Sequence, residues 1–143
     1  MELTNLMITP PVARKEAIDA KWGRAISAGF VAVPNALIKY QSALNISQNE
    51  LAVIMNLLLH WWYKDKLPFP ATSTISERSG LEVRTVQRSL QSLKAKQLVE
   101  KIKYGNKFVY SLDGLRLQLE MYAESDLWNL SKSSKSSNVV EKG

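Results

Sequence analysis

Gly80 restricts the architecture of this chain more than any other residue. It separates two stretches of helical apolar spacing, Thr72–Ser79 and Val83–Lys96, with too few residues between them for a linker. Glycine suits such a corner because it enters the left-handed backbone region without steric cost. On the first stretch Ile75 points inward and Thr72 is the expected helix cap. On the second, Val83, Val86, Leu90 and Leu93 recur at i, i+3, i+7 and i+10, with Leu81 tucked behind the glycine. So narrow a stripe has to lie on a more apolar support.

The support is upstream. Ser47-Gln48-Asn49-Glu50 spells a capping box, in which serine oxygen and glutamate side chain satisfy each other's first-turn amides. The helix it opens, expected over about Gln48–Lys64, is apolar nearly all round: Leu51, Ile54, Met55, Leu58 and Trp62 on one side, Val53, Leu57 and Trp61 on another. A helix with so little polar surface is central to its domain. His60-Trp61-Trp62-Tyr63 therefore reads as core, and a lone histidine in a chain without cysteine is a poor metal ligand. Pro68 and Pro70 forbid further helix, leaving LPFPA as an extended connection suited to an edge strand. Before the spine, a helix is expected over Val12–Ala28, with Ile18, Trp22, Ala25 and Ile26 on one face and Gly29 as its stop. Residues 1–10 read as loose, Phe30–Val33 as extended, and Pro34–Leu44 as a short helix turning Leu37, Ile38 and Leu44 inward.

Downstream, Leu98–Tyr104 and Lys107–Leu112 are strand-like, and Gly105-Asn106 fits a two-residue reversal. Asp113 is the expected cap of a last helix in which Leu115, Leu119 and Tyr122 share a face. Helix, tight turn, helix and hairpin in that order outline a winged helix-turn-helix, mainly α with a small β wing and additional helices at both ends. The expected divisions are an N-terminal arm and helix over 1–29, the winged unit over 30–112, a C-terminal helix over 113–128 and a serine-rich disordered tail over 129–143.

The second helix of the pair carries the chemistry. Arg84, Gln87, Arg88 and Gln91 fall at i, i+3, i+4 and i+7, opposite Val86, Leu90 and Leu93. Arginine donates two parallel bonds to the major-groove edge of guanine, and glutamine pairs with adenine in the same bidentate way. Phosphate contacts, which set register without reading bases, are expected from Thr72, Ser73, Thr74 and Arg78 on the first helix and from Thr85 and Lys94 beside the reading face. The hairpin adds Lys101, Lys103, Tyr104, Asn106 and Lys107 as a wing. Residues 72–111 hold eight basic and three acidic side chains, so most of the net charge of +6 is concentrated there.

Other classes find little support. Without cysteine there are no disulfides, thiolate metal sites or cysteine nucleophiles. Glycine-rich phosphate loops, paired carboxylates in a known motif and a nucleophile beside a base are all lacking, so no enzyme, cofactor or small-molecule ligand is inferred. No apolar run approaches the ~20 residues of a membrane span, and the first residues do not form a secretory signal, which points to a cytoplasmic, nucleoid- or plasmid-associated location.

The stretches GFVAVPNALIKYQSALNIS, NELAVIMNLLLHWWYKDKLPFPATSTISERSGLEVRTVQRSLQSLKAKQLVEKI and FVYSLDGL resemble the helix-turn-helix domains of bacterial plasmid- and phage-borne replication and regulatory proteins. HWWYKDKLPFP and RTVQRSLQSLKAKQLV are the more specific pieces. The resemblance implies that Arg84, Thr85, Gln87 and Arg88 enter DNA. Two residues depart from the pattern: Glu82 stands where serine or threonine caps the helix, and Gln97 where glycine precedes a leucine. The reading that follows is a non-enzymatic, sequence-specific binder of double-stranded DNA from a mobile element. It would act by operator occupancy in transcription regulation or plasmid maintenance, as a homodimer with helices Val12–Ala28 and Gly114–Trp128 as the seam. The alternatives are a replication initiator or replisome organiser and, in another class, a protein-interaction winged helix docking an acidic partner.

Overall fold

The computed structural model describes the backbone of residues 11–61 and 63–142 and the side chains of residues 17–61 and 63–132. The expected loose segment over residues 1–10 and the core placement of Trp62 lie outside the described residues. The chain divides into two units, Met1–Ala32 and Val33–Gly143. In the first, α1 (Pro11–Trp22) passes into a 3₁₀ turn, Gly23–Ile26. The α-helix therefore ends six residues before the expected Ala28. Gly23 takes φ +58, which stops the α-helix there, and Gly29, at φ +111, closes the following turn instead. Trp22 is exposed with the Lys21 ammonium over its ring, while Ile18 and Ile26 are half-buried.

The second unit holds α2 (Asn35–Lys39), α3 (Gln48–His60), α4 (Thr72–Ser79), α5 (Val83–Ala95), β1 (Glu100–Tyr104), β2 (Lys107–Ser111) and α6 (Asp113–Lys142). Its core gathers Leu37 from α2, Val53, Ile54 and Leu57 from α3, Ile75 from α4, and Val86 and Leu93 from α5. Leu98, Val99, Tyr110, Leu112, Leu115 and Leu119 close it from the wing side. The spine is thus α3, and its capping box is present in full: Ser47 Oγ accepts from the Glu50 amide at 3.1 Å, and Glu50 Oε1 accepts from the Ser47 amide at 2.8 Å.

Several local expectations are corrected. The spine ends at His60, four residues early, because the chain must reverse to seat Pro68 in the core; Lys66 N–H donates to the Tyr63 carbonyl at 3.0 Å in that reversal. Tyr63 is consequently exposed rather than core, whereas Trp61, half-buried, packs against the core as expected. LPFPA forms no strand: its two prolines cannot donate to a ladder, and one bond, Tyr110 N–H to the Pro68 carbonyl at 2.9 Å, ties it to β2. Helix α2 is little more than one turn, so Ala36 and Leu37 take the interior and Ile38 faces out. Val83 is exposed because α5 begins there, before its stripe reaches the core. Ala71, not Thr72, occupies the N-cap of α4, and no side chain caps it. Asp113 lies inside the first turn of α6, where its Oδ1 accepts from Arg116 Nε at 3.3 Å. Finally, α6 runs to Lys142, where a disordered tail was expected from residue 129; no proline or glycine interrupts residues 115–142.

The junction between α5 and the wing explains the unusual glutamine. Gln97 takes φ +63, its N–H donates to the Lys94 carbonyl at 3.0 Å, and the Leu98 N–H reaches the Leu93 carbonyl at 3.0 Å. That pair of bonds is a Schellman motif, completed by the buried Leu93 and Leu98 side chains. Its left-handed position is normally glycine. Gln97→Gly should release about 1–2 kcal/mol of left-handed strain and lose about 0.5–1 kcal/mol to unfolded-state entropy. The expected net is a small stabilisation, about 0.5–1 kcal/mol, read as a higher urea midpoint with unchanged slope.

Candidate nucleic-acid interface

The helix pair is held by short polar bonds inside the turn. Gly80 takes φ +76, and its N–H donates to the Ser76 carbonyl at 2.9 Å. Ser76 Oγ donates to the Leu81 carbonyl at 2.5 Å, and Ser79 Oγ accepts from the Leu81 amide at 3.2 Å. Both serines therefore brace the corner that the glycine permits. With Ile75 and Val86 fully buried, α4 and α5 are anchored to each other and to α3.

This anchoring decides which side of α5 faces water. Val86, Ser89 and Leu93 are buried, and Ser89 Oγ donates to the Thr85 carbonyl at 2.8 Å, so its hydroxyl is satisfied within the helix. Arg84, Gln87, Arg88 and Gln91 are all exposed. They occupy one face of a 13-residue helix, about 20 Å long at 1.5 Å per residue. Among the described residues none pairs with these four side chains as an ion, in contrast to Lys96, whose Nζ donates to both Glu50 carboxylate oxygens at 2.7 and 3.0 Å. Lys96 thus spends its charge inside the fold, while Lys94 stays exposed. Glu82 is the N-cap of α5 but makes no side-chain cap bond, as its departure from the usual serine or threonine implies.

On α4, Ser73 and Arg78 are exposed, and Thr72 and Thr74 are half-buried, as is Thr85 on α5. Arg78 Nη1 donates to His60 Nε2 at 2.8 Å. The histidine that looked idle in the sequence thereby orients a guanidinium from the end of the spine.

The wing pairs antiparallel in the register Glu100↔Ser111, Lys101↔Tyr110, Ile102↔Val109, Lys103↔Phe108 and Tyr104↔Lys107. Gly105, at φ +64, opens the two-residue reversal with Asn106. Lys101, Lys103, Tyr104, Asn106 and Lys107 are all exposed. Sequence reasoning missed two aromatic neighbours: the Lys101 ammonium lies 4.1 Å from the Phe108 ring centroid, and that of Lys107 lies 4.9 Å from the Phe69 centroid. Phe108 follows from the hairpin register once the turn is placed. Phe69 does not, because its approach depends on the seating of Pro68.

Helix α6 packs on the core through Leu115 and Leu119. Tyr122 stacks on Tyr40 with ring centroids 4.4 Å apart at 22°, and Asp126 receives hydrogen bonds from Lys39, at 2.7 Å, and from the Tyr40 hydroxyl. Bonding to Lys39 first, and to Tyr40, holds the Asp126 carboxyl below its usual range. Among the described residues no helix is long and apolar enough to cross a membrane.

Residues 44–99 match the helix-turn-helix domain family. A solved structure described as a "possible transcriptional regulator" from Methanosarcina mazei Go1 is 25% identical, with a TM-score of 0.41, over 67% of this chain and 82% of that one. No curated protein matches the chain. The matched residues run from just before α3 to the residue before β1, within a mainly helical chain that carries a two-stranded wing and a long C-terminal helix.

Proposed function

We propose that this protein binds double-stranded DNA sequence-specifically and regulates transcription by occupying an operator, without catalysing a reaction. One observation carries the reading: α5 lies on the core by Val86, Ser89 and Leu93 and turns Arg84, Gln87, Arg88 and Gln91 to solvent, on a segment that matches the helix-turn-helix domain family. These four side chains would read base edges in the major groove. Thr72, Ser73, Thr74, Arg78, Thr85 and Lys94 would hold phosphates, and the wing lysines would lie along the backbone. The mobile-element and plasmid-maintenance setting is proposed from the sequence resemblance, and a cytoplasmic location because the proposed ligand is DNA.

Homodimerisation is part of the proposal. One side of α6 is used internally, by Leu115, Leu119, Tyr122 and Asp126. Leu117, Met121 and Trp128 form an exposed apolar stripe half a turn away. A second copy pairing there would space two reading helices for successive half-sites.

Mobility shift with titrated salt tests the reading. Binding should fall steeply as salt rises while one sequence remains preferred. Arg88→Ala is expected to weaken the preferred site by about 1–3 kcal/mol and relax its sequence, whereas Lys107→Ala should weaken all duplexes alike and flatten the salt slope. If both variants bound the preferred site as the parent does, the assignment of α5 as reader would fail.

A further inference from the structure

The wing is more aromatic than a phosphate clamp requires. Tyr104 is 75% exposed, Phe69 56% and Phe108 48%, so none of these rings serves the core. Alternation along the strands places Tyr104 and its cross-strand partner Lys107 on one face of the hairpin, and Lys101, Lys103 and Phe108 on the other. Lys107 also covers Phe69, and Lys101 covers Phe108. Each face of the blade thus presents an open ring with an ammonium at hand.

We propose that the two faces of the wing, extended by Phe69, bind single-stranded DNA by stacking unpaired bases on Tyr104, Phe108 and Phe69 while Lys101, Lys103 and Lys107 follow the phosphates. Bases in a duplex show only their edges in the grooves, so paired DNA can use the rim or hydroxyl of such a ring but leaves its face empty. An unpaired base offers its face, and stacking on an aromatic side chain tolerates any sequence. The ammonium groups resting over Phe108 and Phe69 sit on long flexible stems. They swing to phosphate when a base takes the ring, and stacking replaces an exposed cation–π contact that is weak on the surface. DNA, rather than RNA, is the committed ligand because this blade adjoins the proposed duplex reader, where opened strands of the same molecule would lie. The inference shares the wing with that reading but uses none of the base-reading face of α5.

Fluorescence anisotropy with an oligothymidylate of about 20 nucleotides, longer than the usual site of such surfaces, tests it. An abasic strand of equal length, an oligouridylate and a duplex serve as the other ligands. The full chain should bind the oligothymidylate about tenfold more tightly than the abasic strand. Tyr104→Leu combined with Phe108→Leu, which keeps apolar bulk without a π face, should erase that preference and leave abasic binding unchanged. Arg88→Ala should weaken the duplex and leave the oligothymidylate as it was, so failure of the duplex reading is visible separately. Equal binding of the thymidylate and abasic strands, or a leucine double variant that retains the preference, would overturn the stacking surface. Equal affinity for the oligouridylate would overturn its assignment to DNA.

Discussion

Gly114→Ala is expected to destabilise the protein by about 3 kcal/mol, at the upper end of what overpacking costs. The site looks harmless in the sequence, one residue into a helix where alanine is ordinarily preferred. Its surroundings reverse that sign. A Cβ at residue 114 would fall far inside contact distance of the Gln97 carbonyl oxygen, 2.9 Å from its carbon and 3.3 Å from Leu98 Cα. Those atoms are backbone, held by the Schellman bonds at the end of α5, so no side chain can rotate away. Relief requires α6 to withdraw, which would break the Leu115 N–H to Leu98 carbonyl bond at 3.0 Å and draw Leu115 and Leu119 out of the core. Gly80→Ala is the informative comparison. It too replaces a glycine, at φ +76, but has nothing within 4 Å of the added carbon, so it should cost only the left-handed strain, about 1–2 kcal/mol. Urea unfolding of both variants separates the mechanisms, and a Gly114→Ala loss no larger than that of Gly80→Ala would disprove the close approach.

Much of this architecture was legible in the residues because local signals and tertiary demands agreed. The Ser47–Glu50 box opens the spine, Gly80 turns the helix pair, and Gly105-Asn106 sets the hairpin register, each through chemistry complete within four residues. The exposed face of α5 followed for the same reason: a stripe this narrow leaves only one orientation. Misreadings concentrate where a distant element decides. The spine stops early because Pro68 has to reach the core, and Tyr63 is pushed outward as a result. Gly114 and Gln97 are two halves of one backbone contact spanning the wing, and neither residue announces the other. His60 found its use only when α4 delivered Arg78 beside it. In the candidate site itself, direction was readable from periodicity, whereas the aromatic company of the wing lysines depended partly on the fold of a proline-rich connection.

Lys96→Met should cost about 3 kcal/mol at neutral pH, the low end for breaking a buried pair from one side, and the deficit should shrink in acid. Glu50 is buried and Lys96 is its ammonium partner at 2.7 Å, with the Asn45 carbonyl accepting from the same nitrogen. Burial alone pushes the Glu50 carboxyl up. Hydrogen bonds from Lys96, the Ser47 backbone, Ser92 and the Ser47 hydroxyl outweigh it and hold the group below its ordinary 4.5. A carboxylate lowered by folding contributes stability that is complete above its unfolded value and lost as pH falls through its folded one. Removing Lys96 takes away the largest of the lowering bonds, leaving a buried negative charge supported by serine alone. Protonating Glu50 neutralises that charge in the variant first, so the gap to the parent in urea unfolding should narrow as pH falls from neutral and close only as pH drops through the parent's lowered Glu50 value, below 4.5. Glu50→Gln on top of Lys96→Met should recover part of the loss, because a neutral amide keeps a polar group for Ser47 without an unpaired charge. The contact also joins the start of the spine to the end of α5, so operator affinity should fall in Lys96→Met only as far as the folded population falls. A deficit that stayed constant down to acid pH would mean that Glu50 is hydrated in solution and that packing, not the ion pair, anchors this end of the reading helix.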